Sequence, residues 1–168
     1  MGIDPRNDFF WDDRTGTLKF VKGRLSYPSN EEPETIARAF LEDNAGLLDL
    51  QEGLVESLEF CDIEKDQQGF SHVYFAQSLN GIPVFEGSTQ VHINPAGEVI
   101  AYKDYRLAAI DVPLEPRIAE RDAIQIVITD LGKASAALTE NKARLTLFRD
   151  AGKQTHLAWE IEWIREAD

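Results

Sequence analysis

The feature that most constrains this sequence is a pair of alternating apolar and polar segments joined by Asn80-Gly81. In the segment before this dipeptide, Val73 and Phe75 fall on one face and His72 and Tyr74 on the other. A period of two residues is that of a β-strand. Asn-Gly is the strongest short signal for a two-residue hairpin turn, because both residues tolerate a positive φ. The sequence therefore predicts an antiparallel hairpin centred on Asn80-Gly81.

Further strands are predicted on both sides of this hairpin. The residues after the turn that are expected to share its inward face are Phe85, Thr89, Val91 and Ile93. Asn94-Pro95-Ala96-Gly97 predicts another turn, after which the chain returns as a strand from Val99 to Leu107. The single cysteine, Cys61, lies in a strand-like stretch and is expected to be a small core residue. Together these segments predict an antiparallel meander with one solvated face.

An amphipathic helix precedes the strands and is expected to cover the other face of the sheet. Apolar residues recur at helical spacing over 36–48, with charged residues between them. Ser29 and Glu32 have the spacing of a capping box, and Pro33 suits the first turn of a helix. Gly46 is predicted to end the helix.

The same order, a helix followed by strands, recurs in the C-terminal third. A helix is predicted from Ala119 to Leu131, ended by Gly132, and two alternating strands follow on either side of a turn at 150–152. We therefore predict an α+β fold with two helix-plus-antiparallel-sheet units of cystatin-like arrangement. The N-terminal strand and first domain are expected at 1–107, a proline-containing linker at 108–117 and the second domain at 118–168. Residues predicted to be buried are Phe40, Leu41, Phe75, Val91 and Ile93 in the first unit and Leu145, Trp159 and Ile161 in the second.

Composition and motifs argue against several function classes. The chain has 30 acidic and 17 basic residues, a formal net charge of −13, and no basic cluster that would suit nucleic acid or an anionic membrane. None of its three histidines lies in an HExxH pattern, and no glycine-rich phosphate loop or nucleophile motif is present. We therefore expect no enzyme activity, no cofactor, and no metal site tighter than about micromolar. All three histidines are expected to be surface residues.

The residues around the hairpin resemble the fungalysin/thermolysin propeptide (FTP) domain. The positions that carry the resemblance are Asn80, Gly81, Ile82, Pro83, Val84, Phe85 and Gly87 in the hairpin and His92 at the following strand end. Residues 117–163 are similar, over a shorter and more degenerate motif, to the PepSY domain that follows in such precursors. The hairpin residues are expected either to build the turn or to form part of an interface.

The resemblance implies a propeptide region of a secreted zinc metalloprotease that acts as an intramolecular chaperone and inhibitor. Its partner would be the catalytic domain of that protease, and its location secreted or periplasmic, although the first residues carry no apolar signal segment. The alternative is a stand-alone secreted or cell-surface binding module that regulates a protease or another partner in trans. Trp159 and Trp163 lie on a strand that could present a partner edge, but the parity they share with Leu157 and Ile161 favours a core position.

Overall fold

The described residues form a mixed α+β fold with two helices, and this fold class is as predicted. The computed structural model describes residues 8–12, 17–50, 58–107, 110–132, 138–152 and 154–165. The chain divides into two compact units, residues 1–109 and residues 110–168. Of the predicted linker 108–117, residues 108 and 109 lie outside the described residues. The cystatin-like arrangement of two units remains a prediction.

The first unit contains one antiparallel sheet of six strands. Its strands are β1 (Asp8–Trp11), β2 (Leu18–Lys22), β3 (Leu58–Lys65), β4 (Ser71–Leu79), β5 (Ile82–Ile93) and β6 (Val99–Asp104). Their order across the sheet is β1-β2-β6-β5-β4-β3. The strands from β3 to β6 are neighbours in both sequence and space, which is the predicted meander.

Helix α1 (Pro33–Asp43) lies on one face of this sheet. Pro33 occupies its first turn as predicted, where a missing N–H costs nothing. The capping box is wrong, because the N-cap is Glu32 and it makes no side-chain cap. The hydroxyl of Ser29 instead accepts a hydrogen bond from the backbone N–H of Glu31, outside the helix.

The C-terminus of α1 also differs from the prediction. The helix ends at Asp43, before Gly46, and the chain continues in irregular turns to Asp49. Asn44 caps it: its side-chain amide donates to the carbonyl oxygen of Phe40 at 2.8 Å. A buried amide that satisfies a terminal carbonyl stops the helix without a glycine. Leu48 is nevertheless fully buried, because the turns fold back onto the core.

A single apolar core fills the space between α1 and the sheet. All five residues predicted to be buried in the first unit are less than 5% exposed, so that prediction is confirmed; they are Phe40, Leu41, Phe75, Val91 and Ile93. Tyr102 is fully buried beside Phe40, with ring centroids 6.2 Å apart. The predicted burial of Cys61 is wrong. It is exposed on β3, at a register shift between Phe60 and Asp62, where strand parity is interrupted.

The second unit consists of α2 (Glu120–Leu131) and the antiparallel pair β7 (Leu138–Arg149) and β8 (Thr155–Arg165). Gly132, with a φ of 54°, ends the helix as predicted. Leu145, Trp159 and Ile161 were expected to be buried but are only half-buried, whereas Leu147 is completely buried. The described part of this unit, one short helix and two strands, presents too little apolar surface to enclose side chains of this size.

Candidate functional site

The predicted turn between β4 and β5 is present, and its two central residues explain why Asn-Gly stands there. Asn80 has a φ of 50° and Gly81 a φ of 78°. Ile82 pairs with Leu79, so the loop contains only these two residues. Two consecutive positive φ values define a type I′ turn, whose twist matches that of the flanking strands. Asn80, Gly81 and the adjoining Ile82 and Pro83 thus build a tight hairpin end.

A bulge of three extra residues in β5 follows directly after this turn. Pro83 pairs with Ser78, but the next pair is Ser88 with Ala76, so three extra residues are inserted in β5. Glu86 adopts a φ of 57°, and a Cβ on Gly87 would lie 2.5 Å from Cγ1 of Val84. Only glycine fits at position 87 without displacing its neighbours.

The bulge changes which side chains of the hairpin face inward. Phe85 was predicted to share the inward face with Thr89, but it is 42% exposed, whereas Val84 is buried. Because β5 contains three extra residues, the alternation of inward and outward side chains is reversed before Ser88. Extending the alternation backwards from Thr89 therefore places Phe85 on the wrong face. Phe85 and the exposed Glu86 are therefore displayed on the surface of the bulge.

The buried side chain of Gln77, on the strand opposite the bulge, is hydrogen-bonded to the backbone that follows β6. The side-chain amide of Gln77 donates to the carbonyl oxygen of Leu107 at 3.0 Å. The backbone N–H of Leu107 donates back to Oε1 of Gln77 at 2.9 Å. The side chain of Gln77 thereby pairs with both backbone polar groups of Leu107, and its own buried amide is satisfied.

The sequence motif also contains His92, which forms a pair with His72 on the face of the sheet opposite α1. The two residues are directly opposed on β5 and β4, and their Nδ1 atoms are 2.6 Å apart. His72 Nε2 lies 3.5 Å from Oδ2 of Asp66, while Nε2 of His92 is buried and has no hydrogen-bond partner among the described residues. Burial, with smaller contributions from His72 and Lys103, lowers the pKa of His92 to about 4. The prediction of a surface histidine is therefore wrong for His92, which is half-buried.

Asp104 and Arg106 form a buried ion pair that the sequence reasoning missed. Nε of Arg106 donates to Oδ1 of Asp104 at 2.7 Å, and the two side chains are 5% and 3% exposed. Desolvation alone would lower the pKa of Arg106, but Tyr102 and Asp104 outweigh it and raise that pKa. The available signal was strand parity: Tyr102, Asp104 and Arg106 alternate on the inward face.

The two tryptophans predicted on the last strand lie on one face of β8. Trp159 and Trp163 are both half-buried, and each pairs across the hairpin with a residue of β7. Nε1 of Trp159 donates to the carbonyl oxygen of Ile118 at 3.0 Å, whereas Nε1 of Trp163 is buried without a partner. Among the described strands, β8 pairs with β7 alone, so one side of β8 is an edge.

The described residues offer no ligand set for a metal ion: no group of three or more histidine, cysteine, aspartate or glutamate side chains among them converges suitably. His72, His92 and Asp66 form a chain of contacts and not a cluster around one point. In the same part of the chain, neither helix is long and apolar enough to cross a membrane.

Residues 56–103 match the Fungalysin/Thermolysin Propeptide Motif. The match extends from just before β3 almost to the end of β6, and so includes the hairpin, the bulge and the histidine pair. The sequence resemblance to this motif is thereby confirmed for that segment.

Three thermolysins are similar to the chain over most of its length. They come from Alicyclobacillus acidocaldarius subsp. acidocaldarius, Bacillus caldolyticus and Bacillus sp. (strain EA1). Each is 27% identical over 158 residues, which is 90% of this chain but 29% of the relative. The chain therefore spans less than a third of the length of these relatives.

Proposed function

We propose that this chain is the propeptide region of a secreted zinc metalloprotease, in which it acts as an intramolecular chaperone and inhibitor. The observation that carries the proposal is the match of residues 56–103 to a propeptide motif. The similarity to thermolysins over 90% of the chain supports it, and so does the small share of those proteins that the chain covers. The partner proposed is the catalytic domain of the cognate protease, and the location is secreted or periplasmic.

The physical basis of the proposed role is binding to the folded form of the partner. A surface that binds only the native protease stabilises it by mass action and so favours folding. Covalent linkage raises the effective concentration, so a modest intrinsic affinity suffices while the chain is attached. The chain itself contributes binding and no catalysis. We further propose that residues 118–168 form a PepSY-like domain that follows the propeptide domain at 1–107 in the sequence.

We propose the bulge tip as the contact point within the motif. Asn80, Gly81 and Gly87 are required by the backbone geometry, whereas Phe85 is 42% exposed on the bulge. An exposed aromatic side chain held by a fixed backbone is a favourable anchor in an interface. The half-burial of Trp159 favours a core role for that residue in place of a partner edge.

The test is an inhibition titration of the mature cognate protease with the full chain, together with the refolding yield of the denatured protease. The wild-type chain should inhibit without being cleaved to completion, and it should raise the refolding yield. Excess zinc should not relieve inhibition, because no ligand set exists among the described residues. Phe85→Ser should weaken inhibition roughly tenfold, equivalent to about 1.4 kcal/mol. Tyr27→Ser is the matched control, since Tyr27 is also exposed but lies outside the motif.

Two outcomes would count against the proposal. If the chain neither inhibits at tens of micromolar nor improves refolding, the stand-alone module becomes the better interpretation. If it inhibits but Phe85→Ser and Tyr27→Ser behave alike, the propeptide role stands and the bulge contact is wrong. The reading frame after Asp168 provides an independent check, because an HExxH segment there is expected if a catalytic domain follows.

A further inference from the structure

The histidine pair has a hydrogen-bonding constraint that makes it sensitive to protons. Nδ1 of His72 and Nδ1 of His92 are 2.6 Å apart, so one must donate and the other accept. If both rings are neutral, a single arrangement satisfies the surroundings. His92 donates from Nδ1 to Nδ1 of His72, and His72 donates from Nε2 to Asp66. This leaves Nε2 of His92 as a bare lone pair, in agreement with its buried and unpartnered position.

Adding a proton disturbs this arrangement at either ring. On Nε2 of His92, a proton would place a charge where no acceptor is present. On Nδ1 of His72, a proton removes the acceptor, so two N–H groups face each other at the contact. Shifting His92 to its other tautomer relieves that clash only by burying an N–H without a partner.

The groups around the pair do not compensate for a proton on His92. On β3, Glu64 is opposite His72 but accepts a hydrogen bond from the hydroxyl of Tyr74 on β4 at 3.0 Å. On β6, Ala101 is opposite His92, and the nearby Lys103 repels a proton on it. One strand further, β2 places Lys22 opposite Ala101. Among the described residues, the carboxylate paired with a ring nitrogen of the two histidines is Asp66, which contacts His72 and also accepts the backbone N–H groups of Gln68 and Phe70. Helix α1 packs on the opposite face of the sheet.

We propose that His72 and His92 form a proton-operated latch across β4 and β5, which ties these strands to the Asp66 turn when neutral and opens on protonation. This latch is independent of the proposed protease partner, because all of its members lie in the first unit. Opening removes the side-chain link between β4 and β5. The first unit is thereby expected to lose stability in mild acid and to regain it at neutral pH.

The direction of this dependence follows from the pKa of His92. In the folded chain it is about 4, below the ordinary value of 6.5. Between these pH values the unfolded chain binds more protons at His92 than the folded chain does. His92 therefore contributes its full stabilisation above about pH 6.5 and loses it progressively as the pH falls towards 4.

A ring titration of the full wild-type chain and a double-mutant cycle test the latch. In NMR titrations, the ring signals of His92 should show a midpoint near pH 4. The cycle uses His72→Gln, His92→Gln and the double variant, in urea titrations followed by the amide signals of Val73 and Val91. At pH 7 the two histidines should be coupled by roughly fivefold in the unfolding equilibrium constant, as for one net hydrogen bond. At pH 4, where about half of the folded molecules carry a protonated His92, the coupling should be reduced or reversed.

The cycle removes the effect of the acidic residues, because these titrate in all four proteins. His156→Gln is the control, since His156 is exposed in the second unit and should leave the pH dependence of the first unit unchanged. A coupling that is equal at the two pH values would overturn the latch. A midpoint for His92 at or above pH 6.5 would do the same, and this measurement needs no variant to fold.

Discussion

The buried ion pair of Asp104 and Arg106 gives the sharpest prediction about the stability of the first unit. Besides the 2.7 Å contact from Nε, Nη2 of Arg106 donates to Oδ2 of Asp104 at 3.2 Å. The same Nη2 donates to the carbonyl oxygen of Leu48, in the turns after α1, at 3.1 Å. Asp104 also receives Nζ of Lys19 from β2 at 3.2 Å. The pair thus connects the C-terminal end of β6 to β2 and to the segment after α1.

Asp104→Asn keeps the volume of the side chain but leaves the guanidinium of Arg106 buried without its counter-charge. Removing one partner of a buried pair costs about 3–5 kcal/mol, because the remaining charge stays desolvated. Lys19 is 20% exposed and can be solvated, so we expect a cost near the lower end, about 3 kcal/mol. Arg106→Met should cost a similar amount. The double variant should be destabilised by clearly less than the sum of the two, because it leaves no uncompensated buried charge in the pair.

The second unit provides a control pair with the same contact distance. Nε of Arg144 is 2.7 Å from Oε2 of Glu160, but the side chains are 67% and 30% exposed. Glu160→Gln should therefore cost less than about 1 kcal/mol. The free energies are measured by urea titration of the full chain, with the amide signal of Val91 reporting on the first unit and that of Leu147 on the second. If Asp104→Asn costs no more than Glu160→Gln, burial does not determine the strength of these pairs and the reasoning is refuted.

Two further predictions concern backbone geometry and the relative stability of the units. Gly97 and Gly81 have similar φ values of 73° and 78°. A Cβ atom on Gly97 would overlap the carbonyl oxygen of Ser29, whereas a Cβ atom on Gly81 would have no heavy atom of the described residues within 4 Å. Gly81→Ala should cost about 1 kcal/mol and Gly97→Ala about 3 kcal/mol in thermal unfolding, and equal costs would contradict the overlap. In native-state hydrogen exchange, the amide of Leu147 should open at a lower free energy than that of Val91, because the described part of the second unit buries fewer large apolar side chains. Equal protection of the two amides would show that the second unit is stabilised in another way.

Local chemistry made the hairpin, the second helix and the core of the first unit predictable from sequence. Asn80-Gly81 determines the turn, Gly132 the end of α2, and period-two alternation the burial of Val91. The N-cap of α1 was harder to predict from sequence, because Ser29 has the spacing of a capping residue but its hydroxyl is hydrogen-bonded within the preceding loop. Parity failed at Phe85 because Gly87 permits a bulge, but a period-two pattern does not show how many residues the bulge adds.

The polar clusters could not be predicted because they depend on contacts between distant parts of the chain. Alternation places Asp104 and Arg106 inward, but charged residues are rarely buried unless paired. Their partners, Lys19 and Leu48, are more than 50 residues away along the chain and meet them only in the folded sheet. A sequence pattern alone therefore favours reading such residues as exposed.

The histidine pair shows how the motif hairpin determines more than its own turn. If pairing continued without interruption from Asn80-Gly81, each step outward would match one residue of β4 with one of β5, and His72 would lie opposite Thr89. In the folded chain the four residues Val84–Gly87 of β5 lie opposite the single residue Gln77 of β4, so β5 contains three extra residues. His92 therefore lies opposite His72 in place of Thr89. The bulge in turn requires Gly87, because a side chain there would collide with Val84. Gly87 and His92 are therefore linked through the strand register. A change that removes the bulge also separates His72 from His92.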